Sequence, residues 1–265
     1  MVKIDIPKII HYCWFGKNKK PKLVLDCIAS WKLFFPDYQL LEWNEETYIS
    51  DHPFYVEAMQ NKLWAFASDY ARLDILNRYG GIYFDTDLLV VKSFGHLLNN
   101  EIIIGAEDEN FIAAGFIGAI KNHTFLVDCL NFYDHIYPSV QEDDLMKMTI
   151  PKVMTNVLFD KYLAIQEFSS VIDKQGISIF PPEFFYPLPY NSRMELNNYT
   201  LFLTENSVAV HLWNASWKKF SALYYFEHKH FLMGMSALVR EIHKREIRLS
   251  KPYVKKLLKS LFIKN

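Results

Sequence analysis

The stretch ASDYARLDILNRYGGIYFDTD, residues 67–87, decides both the fold and the chemistry of this chain. Apolar residues at four-residue spacing predict a helix over residues 63–79, and the two glycines that follow end it. An apolar strand over residues 82–84 comes next and runs directly into Asp85 and Asp87. The segment therefore predicts a helix that turns back into a buried strand, with two carboxylates where the chain leaves the sheet.

The rest of the chain alternates between short apolar runs and amphipathic segments. This alternation is typical of an α/β fold with a mostly parallel central sheet. The predicted strands span residues 9–15, 38–43, 82–84, 88–91, 101–106, 112–118, 177–180 and 207–212, and the predicted helices span residues 23–35, 53–61, 63–79, 123–136 and 151–160.

A change in composition near residue 221 predicts a main domain over residues 1–220 and a helical C-terminal extension over residues 221–265. Residues 240–265 carry nine Lys or Arg and only two Glu, on one or two helices broken at Pro252. Such a segment is either a solvated helical surface or an amphipathic surface for anionic lipid, and both interpretations stay open. The second rests on Leu257, Leu258, Leu261 and Phe262 among Lys255, Lys256, Lys259 and Lys264.

Composition and charge exclude several classes of protein. A formal net charge of −1 over 265 residues argues against a nucleic-acid partner. The three cysteines show no spacing typical of disulfide frameworks or zinc sites, so we expect reduced thiols in a cytoplasmic protein. The N-terminus lacks the features of a signal peptide, and no run reaches the ~18 apolar residues of a membrane span. We therefore expect a cytoplasmic protein, at most peripheral at the inner face of the membrane.

Carboxylates at the end of a strand are the main chemical feature. Asp85 and Asp87 are hard oxygen ligands at the edge of an open α/β sheet where ligands bind, and a divalent cation there would hold a diphosphate. A solvated turn is the ordinary alternative for this short pattern. Upstream, Asp69 and Arg72 share a helical face, either as an intrahelical ion pair or as groups that reach a phosphate and sugar hydroxyls.

The same stretch resembles the sugar-binding region of glycosyltransferase family 32. That family includes bacterial capsular and lipopolysaccharide sugar transferases and fungal mannosyltransferases, and the clostridial glucosylating toxins are related to it. The opening IPKIIHYCWFG at residues 6–16 is similar to the first strand of the family, and HLWNASW at residues 211–217 resembles its closing motif. The three segments occur in the expected order.

The resemblance implies a glycosyltransferase-A (Rossmann-like) fold for residues 1–220 and a role for each matching residue. Asp85, Asp87 and His211 would bind the metal, and Asp69 and Arg72 would hold the transferred sugar. The catalytic residues would be Asp69, Arg72, Asp85 and Asp87. The remaining donor-binding residues would be His11, Trp14, Phe15, Ser68, Thr86, Ser216 and Trp217. An imidazole beside carboxylates favours Mn²⁺ over Mg²⁺. For His211, however, a satisfied core histidine is the ordinary alternative.

One position departs from the family pattern. The segment from Thr149 to Lys152 resembles a Thr-Gly-Pro turn of the family, but Ile150 replaces the glycine. Isoleucine resists the backbone geometry that glycine permits, so the acceptor side of the site is expected to differ. Asn156 and residues 107–110 are only loose candidates for contacts with the acceptor.

The resemblance implies retaining, metal-dependent transfer of a hexose from UDP-galactose or UDP-glucose to a glycan acceptor. The expected acceptor is a lipid-linked oligosaccharide of capsule or lipopolysaccharide synthesis. Two alternatives come from other classes. A haloacid-dehalogenase phosphatase also uses Asp-x-Asp after a strand, but it expects Thr where this chain has Leu89. A non-catalytic module that binds nucleotide sugars is the second alternative, and intact residues at 85, 87 and 211 argue against it.

Overall fold

The structure is a computed structural model, and it describes residues 5–136, 149–163, 167–214, 221–227, 229–244, 247 and 249–261. It forms two compact units, Met1–Asn214 and Ala215–Asn265. Among the described residues, no helix combines the length and the apolar character needed to cross a bilayer.

Nine strands and nine helices are described, together with two 3-10 segments at Gly95–Leu97 and Tyr190–Phe202. The strands are β1 (Ile9–Cys13), β2 (Gln39–Trp43), β3 (Gly81–Phe84), β4 (Leu88–Val90), β5 (Ile102–Ala106), β6 (Ile112–Ala119), β7 (Ile172–Lys174), β8 (Ile177–Phe180) and β9 (Ala209–His211). The helices are α1 (Lys22–Phe34), α2 (Pro53–Gln60), α3 (Trp64–Tyr79), α4 (Thr124–Tyr133), α5 (Ile150–Lys161), α6 (Pro182–Phe185), α7 (Ala222–Glu227), α8 (Phe231–His243) and α9 (Lys251–Leu261).

The central sheet has seven strands in the order β2-β1-β3-β6-β5-β8-β7. β6 is antiparallel to both of its neighbours and β7 is antiparallel to β8, so the other five strands share one direction. This confirms the predicted α/β fold with a mostly parallel sheet, in agreement with the expected glycosyltransferase-A arrangement. A separate ribbon of β4 and β9 carries the chain past the end of β3.

Helices cover both faces of the central sheet. One core lies between the sheet and the group α2, α3, α4 and α5, and it includes Leu76, Phe125 and Leu158. The other core lies on the α1 side and includes Trp31 and Phe84. Because both faces are covered, the inner strands β3, β5 and β6 are apolar along their whole length rather than alternating.

Two glycines make the sharp return from α3 to β3. Gly80 has φ 66° and Gly81 has φ 106°, values that a side chain at Cβ disfavours. A Cβ on Gly81 would also lie 2.6 Å from the carbonyl oxygen of Ile9. The predicted helix, glycine stop and strand are therefore confirmed, and the return places β3 directly beside β1.

Proline occupies the first turn of four helices, where its missing N–H removes no helical hydrogen bond. Pro252 is one of them, in the first turn of α9. The predicted break at Pro252 lies immediately before this residue, since α8 ends at His243 and α9 begins at Lys251. The other three are Pro53, Pro151 and Pro182.

The second unit packs its three described helices around a small core. Ala222 and Phe226 of α7 contact Ala237 of α8, with Leu257 of α9 against them. The buried Glu241 accepts a hydrogen bond of 2.8 Å from the backbone N–H of Ala222. The predicted boundary at residue 220 falls in a segment outside the described residues, as do Phe262, Lys264 and the side chain of Leu261.

Candidate active site

The turn between β3 and β4 presents the two aspartates. The backbone N–H of Asp85 donates to the carbonyl oxygen of Gly115 at 2.8 Å, which ties the end of β3 to β6. β4 then pairs with β9 in a register that places His211 opposite Leu88. The backbone N–H of Leu212 donates to the carbonyl oxygen of Asp87. Sheet pairing thus brings together carboxylates and an imidazole that lie far apart in the sequence.

Asp85, Asp87 and His211 form one cluster, in which one ligand atom of each residue lies within 4.8 Å of the others. His211 Nε2 lies 3.1 Å from Asp87 Oδ1 and 3.6 Å from Asp85 Oδ2. Two neighbouring ligands of an octahedral ion lie about 3.0 Å apart when each is about 2.1 Å from the metal. The two carboxylates and the imidazole therefore fit a divalent cation of the Mn²⁺ or Mg²⁺ type.

Electrostatics within the cluster also fit a cation. Burial opposes ionisation of Asp85, but the charges of Arg72 and His211 outweigh it and hold the pKa below its ordinary value. Burial alone would lower the pKa of His211, yet Asp87 and Asp85 raise it to about 10. Without a cation, the protonated imidazole supplies the positive charge that the two carboxylates require. A bound cation would take over this role and release the proton.

Two backbone features and one aromatic ring hold the cluster in place. Asp87 Oδ2 accepts a hydrogen bond of 2.9 Å from the backbone N–H of Asn214. Gly115 faces the cluster, since a Cβ there would lie 2.9 Å from His211 Cδ2 and 3.2 Å from Asp85 Oδ2. Trp213 packs edge-on against His211, with ring centroids 4.2 Å apart. Sequence analysis did not identify Gly115 or Asn214, because their contribution depends on backbone contacts between distant strands.

Arg72 lies under the cluster and is almost fully engaged by the protein. Its Nη2 donates to Asp69 at 2.9 Å, and its Nη1 lies 3.2 Å from Asp85 and donates to the carbonyl oxygen of Ala114 at 2.8 Å. Its Nε donates to the carbonyl oxygen of Ser68 at 3.2 Å. The side chain is only 6% exposed. Four of its five N–H groups are therefore used, and Arg72 fixes the positions of Asp69 and Asp85.

Asp69 is a further carboxylate near the metal candidates, and it is more deeply buried than Asp85 or Asp87. Burial raises its pKa to about 6, although the charge of Arg72 and a hydrogen bond from the backbone N–H of Ile150 act in the opposite direction. Ile150 is the first residue of α5 and does not have a positive φ. The backbone strain expected from isoleucine at this position is therefore absent, because the residue begins a helix.

The predicted nucleotide-pocket residues of the first strand differ in their surroundings. His11 is fully buried, its Nε2 bonds to the carbonyl oxygen of Gly80 at 2.8 Å, and its Nδ1 accepts from Trp43 Nε1 at 3.1 Å. Burial lowers its pKa to about 4. Both ring nitrogens are thus occupied, so His11 has no free group for a nucleotide and instead braces the return from α3 to β3.

Phe15 is buried in the core against Tyr55, with ring centroids 6.0 Å apart, and its predicted place in the lining of a pocket stays a prediction. Trp14 is partly exposed and donates to the carbonyl oxygen of Asn18 at 2.7 Å. It keeps an accessible ring surface for a base. Its predicted role in nucleotide binding remains a prediction.

The other predicted donor-binding residues fall into two groups. Ser68 and Thr86 are partly buried, and the hydroxyl of Ser68 donates to the carbonyl oxygen of Trp64 at 2.9 Å. Ser216 and Trp217 lie outside the described residues. Their predicted contact with the diphosphate stays a prediction.

A cavity of about 400 Å³ lies in the same unit, and its wall includes Tyr186 and the loop of residues 107–110. The Tyr186 ring lies 5.7 Å from that of His211, between centroids, so this wall borders the acidic cluster. Burial raises the pKa of Glu107 in the wall. Asn156, the other loose acceptor candidate, is exposed on α5. The complete described lining is Glu107, Asp108, Glu109, Asn110, Pro182, Glu183, Tyr186, Pro187, Pro189, Phe202 and Thr204.

Comparison with known families agrees with this arrangement. Residues 21–108, which include both aspartates, match the family described as a glycosyltransferase sugar-binding region containing a DXD motif. Residues 119–230, which include His211, match an alpha 1,4-glycosyltransferase conserved region. Over these two regions the chain is similar to glycosyltransferases that carry a DXD sugar-binding region.

Individual proteins also show similarity to this chain. Human lactosylceramide 4-alpha-galactosyltransferase is 28% identical over 192 residues, which cover 68% of this chain and 52% of that protein. Human alpha-1,4-N-acetylglucosaminyltransferase is 30% identical over 167 residues, covering 60% of this chain and 46% of that protein. The chain thus spans about half the length of these relatives. A solved structure titled PaToxG Glycosyltransferase is 22% identical, with a TM-score of 0.47 over 60% of this chain and 70% of that one.

Proposed function

We propose that this chain transfers a sugar, with retention of configuration, from a nucleotide-sugar donor to a glycan acceptor, and that a divalent cation, Mn²⁺ or Mg²⁺, assists the reaction. The observation that carries the proposal is the cluster of Asp85, Asp87 and His211 at the end of β3. The family matches favour a transferase over the phosphatase alternative.

When bound, the cation would supply Lewis-acid charge to a departing diphosphate. The protein residues hold the site in a fixed geometry. Asp87 is oriented by the N–H of Asn214, and Asp85 by Arg72. Arg72 also brings a buried positive charge below the cluster, which favours the accumulation of negative charge on a leaving group above it. Arg72 is therefore a positioning residue in this proposal.

Asp69 is suited to hydroxyl recognition rather than to metal binding. It lies on the far side of Arg72 from Asp85, with 11% of its side chain exposed. A carboxylate held by Arg72 keeps lone pairs for sugar hydroxyl donors. We therefore assign Asp69 to the transferred sugar, as the sequence predicted.

The proposed identities of the donor and the acceptor rest on the names of relatives and on one cavity. A UDP-hexose, galactose or glucose, is the proposed donor, and one relative is named a galactosyltransferase. The cavity beside Tyr186 is the proposed place for the acceptor glycan. Because relatives are named for lactosylceramide and inositol phosphoceramide, a lipid-linked acceptor agrees with their names. A role in capsule or lipopolysaccharide synthesis, and a cytoplasmic location at the inner face of the membrane, stay predictions.

Nucleotide-sugar hydrolysis tests the proposal directly. We expect slow release of nucleoside diphosphate from one donor in a panel of UDP- and GDP-sugars, and only when Mn²⁺ or Mg²⁺ is present. Asp87→Asn should lower this rate by more than about 100-fold, because substitutions of residues that only support a metal ligand already lower activity by about 10- to 100-fold. The circular dichroism spectrum should stay unchanged. Asp51→Asn, at an exposed position, is the matched control.

Two results would contradict the proposal. Release of nucleoside diphosphate at the same rate with and without metal would remove the role of the cation. Donor binding detected by thermal shift without any turnover, with all acceptors tested, would favour the non-catalytic module.

A further inference from the structure

Helix α8 exposes an apolar stripe on the side away from its packed face. Gly234, Ala237 and Glu241 are buried against the rest of the second unit. On the other side, exposed apolar side chains recur at three- and four-residue spacing, so they form one continuous stripe along the helix. The stripe consists of Phe231, Leu232, Met235, Val239 and Ile242.

The extent of exposure is unusual for side chains of this size. Leu232 is 88% exposed and Val239 is 63% exposed. Scattered apolar residues on a surface need no explanation, but a contiguous stripe marks a surface that is covered by something else. Among the described residues, exposed apolar side chains therefore lie on α8 as well as within residues 240–265, where the sequence predicts a candidate lipid-binding surface.

Helix α9 supplies positive charge in the same unit. Lys251, Lys255 and Lys259 are exposed at four-residue spacing and share one side of the helix, with Lys256 nearby. Val254 and Leu258 are exposed beside this row. Tyr253 of α9 donates a hydrogen bond of 3.3 Å to the buried Glu241 of α8, so the two helices are linked.

We propose that α8 and α9 together bind the surface of a membrane that contains anionic lipid, with the apolar stripe of α8 entering the boundary between headgroups and acyl chains. Interfacial helices of this kind combine an apolar face with lysines that attract anionic headgroups. A protein partner would have to match both an apolar stripe and a row of lysines, whereas an anionic bilayer offers both surfaces at once. This proposal does not depend on the transferase activity.

Vesicle co-sedimentation of the full chain, without donor or metal, tests the proposal. We expect binding to vesicles of phosphatidylcholine with phosphatidylglycerol, weaker binding to phosphatidylcholine alone, and a loss of the difference at high salt. Lys255→Ala with Lys259→Ala should weaken binding to the anionic vesicles by roughly 25-fold, about fivefold for each lysine. Leu232→Ser with Val239→Ser should weaken binding to both kinds of vesicle, by about tenfold or more.

Leu201→Ser is the matched control, because Leu201 is 82% exposed in the first unit. It should bind vesicles as the unchanged protein does. All variants should retain the circular dichroism spectrum and any donor hydrolysis, since neither helix contributes a residue to the metal cluster.

Three outcomes would overturn the proposal. The first is equal binding of the unchanged protein to anionic and neutral vesicles, or to neither. The second is a loss of binding in Leu201→Ser as large as that in the α8 variant. The third is self-association in analytical ultracentrifugation that the α8 substitutions abolish, without vesicle binding, which would make the stripe an interface between two copies of this chain.

Discussion

Gly115→Ala offers a sharp test of the metal cluster, because it adds one carbon atom at the closest approach of β6 to the ligands. The added Cβ would lie 2.9 Å from His211 Cδ2, whereas ordinary contact between carbon atoms begins at about 3.5 Å. The imidazole must therefore retreat by about 0.6 Å, the difference between these two values. Functional groups tolerate displacements of about 0.5 Å, so we expect impaired metal binding.

The expected loss of Mn²⁺ affinity is taken from substitutions of residues that support the ligands of other metal sites. A loss of about 10- to 100-fold in affinity corresponds to about 1.4–2.8 kcal/mol. At a Mn²⁺ concentration 100 times the unaltered Kd, the ion adds about 2.7 kcal/mol to the stability of the unaltered protein. The same concentration would add only about 1.4 kcal/mol after a tenfold loss, and about 0.4 kcal/mol after a 100-fold loss. Thermal unfolding with and without Mn²⁺ measures this difference, independently of any enzyme activity.

Gly118→Ala is the matched control on the same strand. A Cβ at Gly118 would lie 3.2 Å from Ile6 Cδ1, the flexible end of a side chain that can move away. Its response to Mn²⁺ should equal that of the unaltered protein. The reasoning would be refuted if Gly115→Ala kept the full stabilisation by Mn²⁺, or if both variants lost it equally.

Two further predictions concern buried polar residues. Arg72→Lys should lower the free energy of unfolding by an amount approaching the ~3–5 kcal/mol lost when a buried ion pair loses one partner. It should also lower donor hydrolysis, because an ammonium cannot replace the contacts of the guanidinium with Asp69 and Asp85. Arg78→Lys, at a half-exposed ion pair on the same helix, should cost less than about 1 kcal/mol by chemical denaturation, and an equal cost at the two sites would contradict our account of Arg72. His11 is neutral in the folded chain down to about pH 4 but gains a proton near 6.5 when unfolded, so acidification from pH 6.5 to 4 should remove up to about 3 kcal/mol of stability. His11→Gln should flatten this part of the pH–stability curve, and an unchanged slope would show that His11 does not cause it.

Sequence patterns were sufficient to predict the segment from α3 to β4, because the cause of each element is local. Helical periodicity, two glycines and an apolar strand are each visible in consecutive residues. Asp85 and Asp87 were predicted as metal ligands from their place at the end of a strand, and His211 from the resemblance to a known family. The structure brings all three into one cluster. The roles of the individual residues in binding and catalysis stay predictions.

Features that depend on long-range pairing were missed. Gly115 matters only because β6 lies beside β3, and nothing in its own neighbourhood of the sequence indicates this. His11 illustrates a different case, since a histidine in a family motif was predicted to contact a nucleotide, whereas its ring lies in the core. Its two hydrogen bonds come from Gly80 and Trp43, which are distant in sequence, and so the core role was not evident. The short strand β7 and the 3-10 segment Tyr190–Phe202 lack strong periodicity and were also missed.

The pairing of β4 with β9 has a consequence for synthesis of the chain. β9 is the last strand in the first unit, so a ribosome releases the acidic pair long before the histidine that completes the cluster. During that interval the two carboxylates lack both the imidazole and the ribbon that holds them. Loading of a cation would therefore be postponed until this unit is almost fully synthesised, and any truncation before β9 would leave the proposed metal site without its nitrogen ligand.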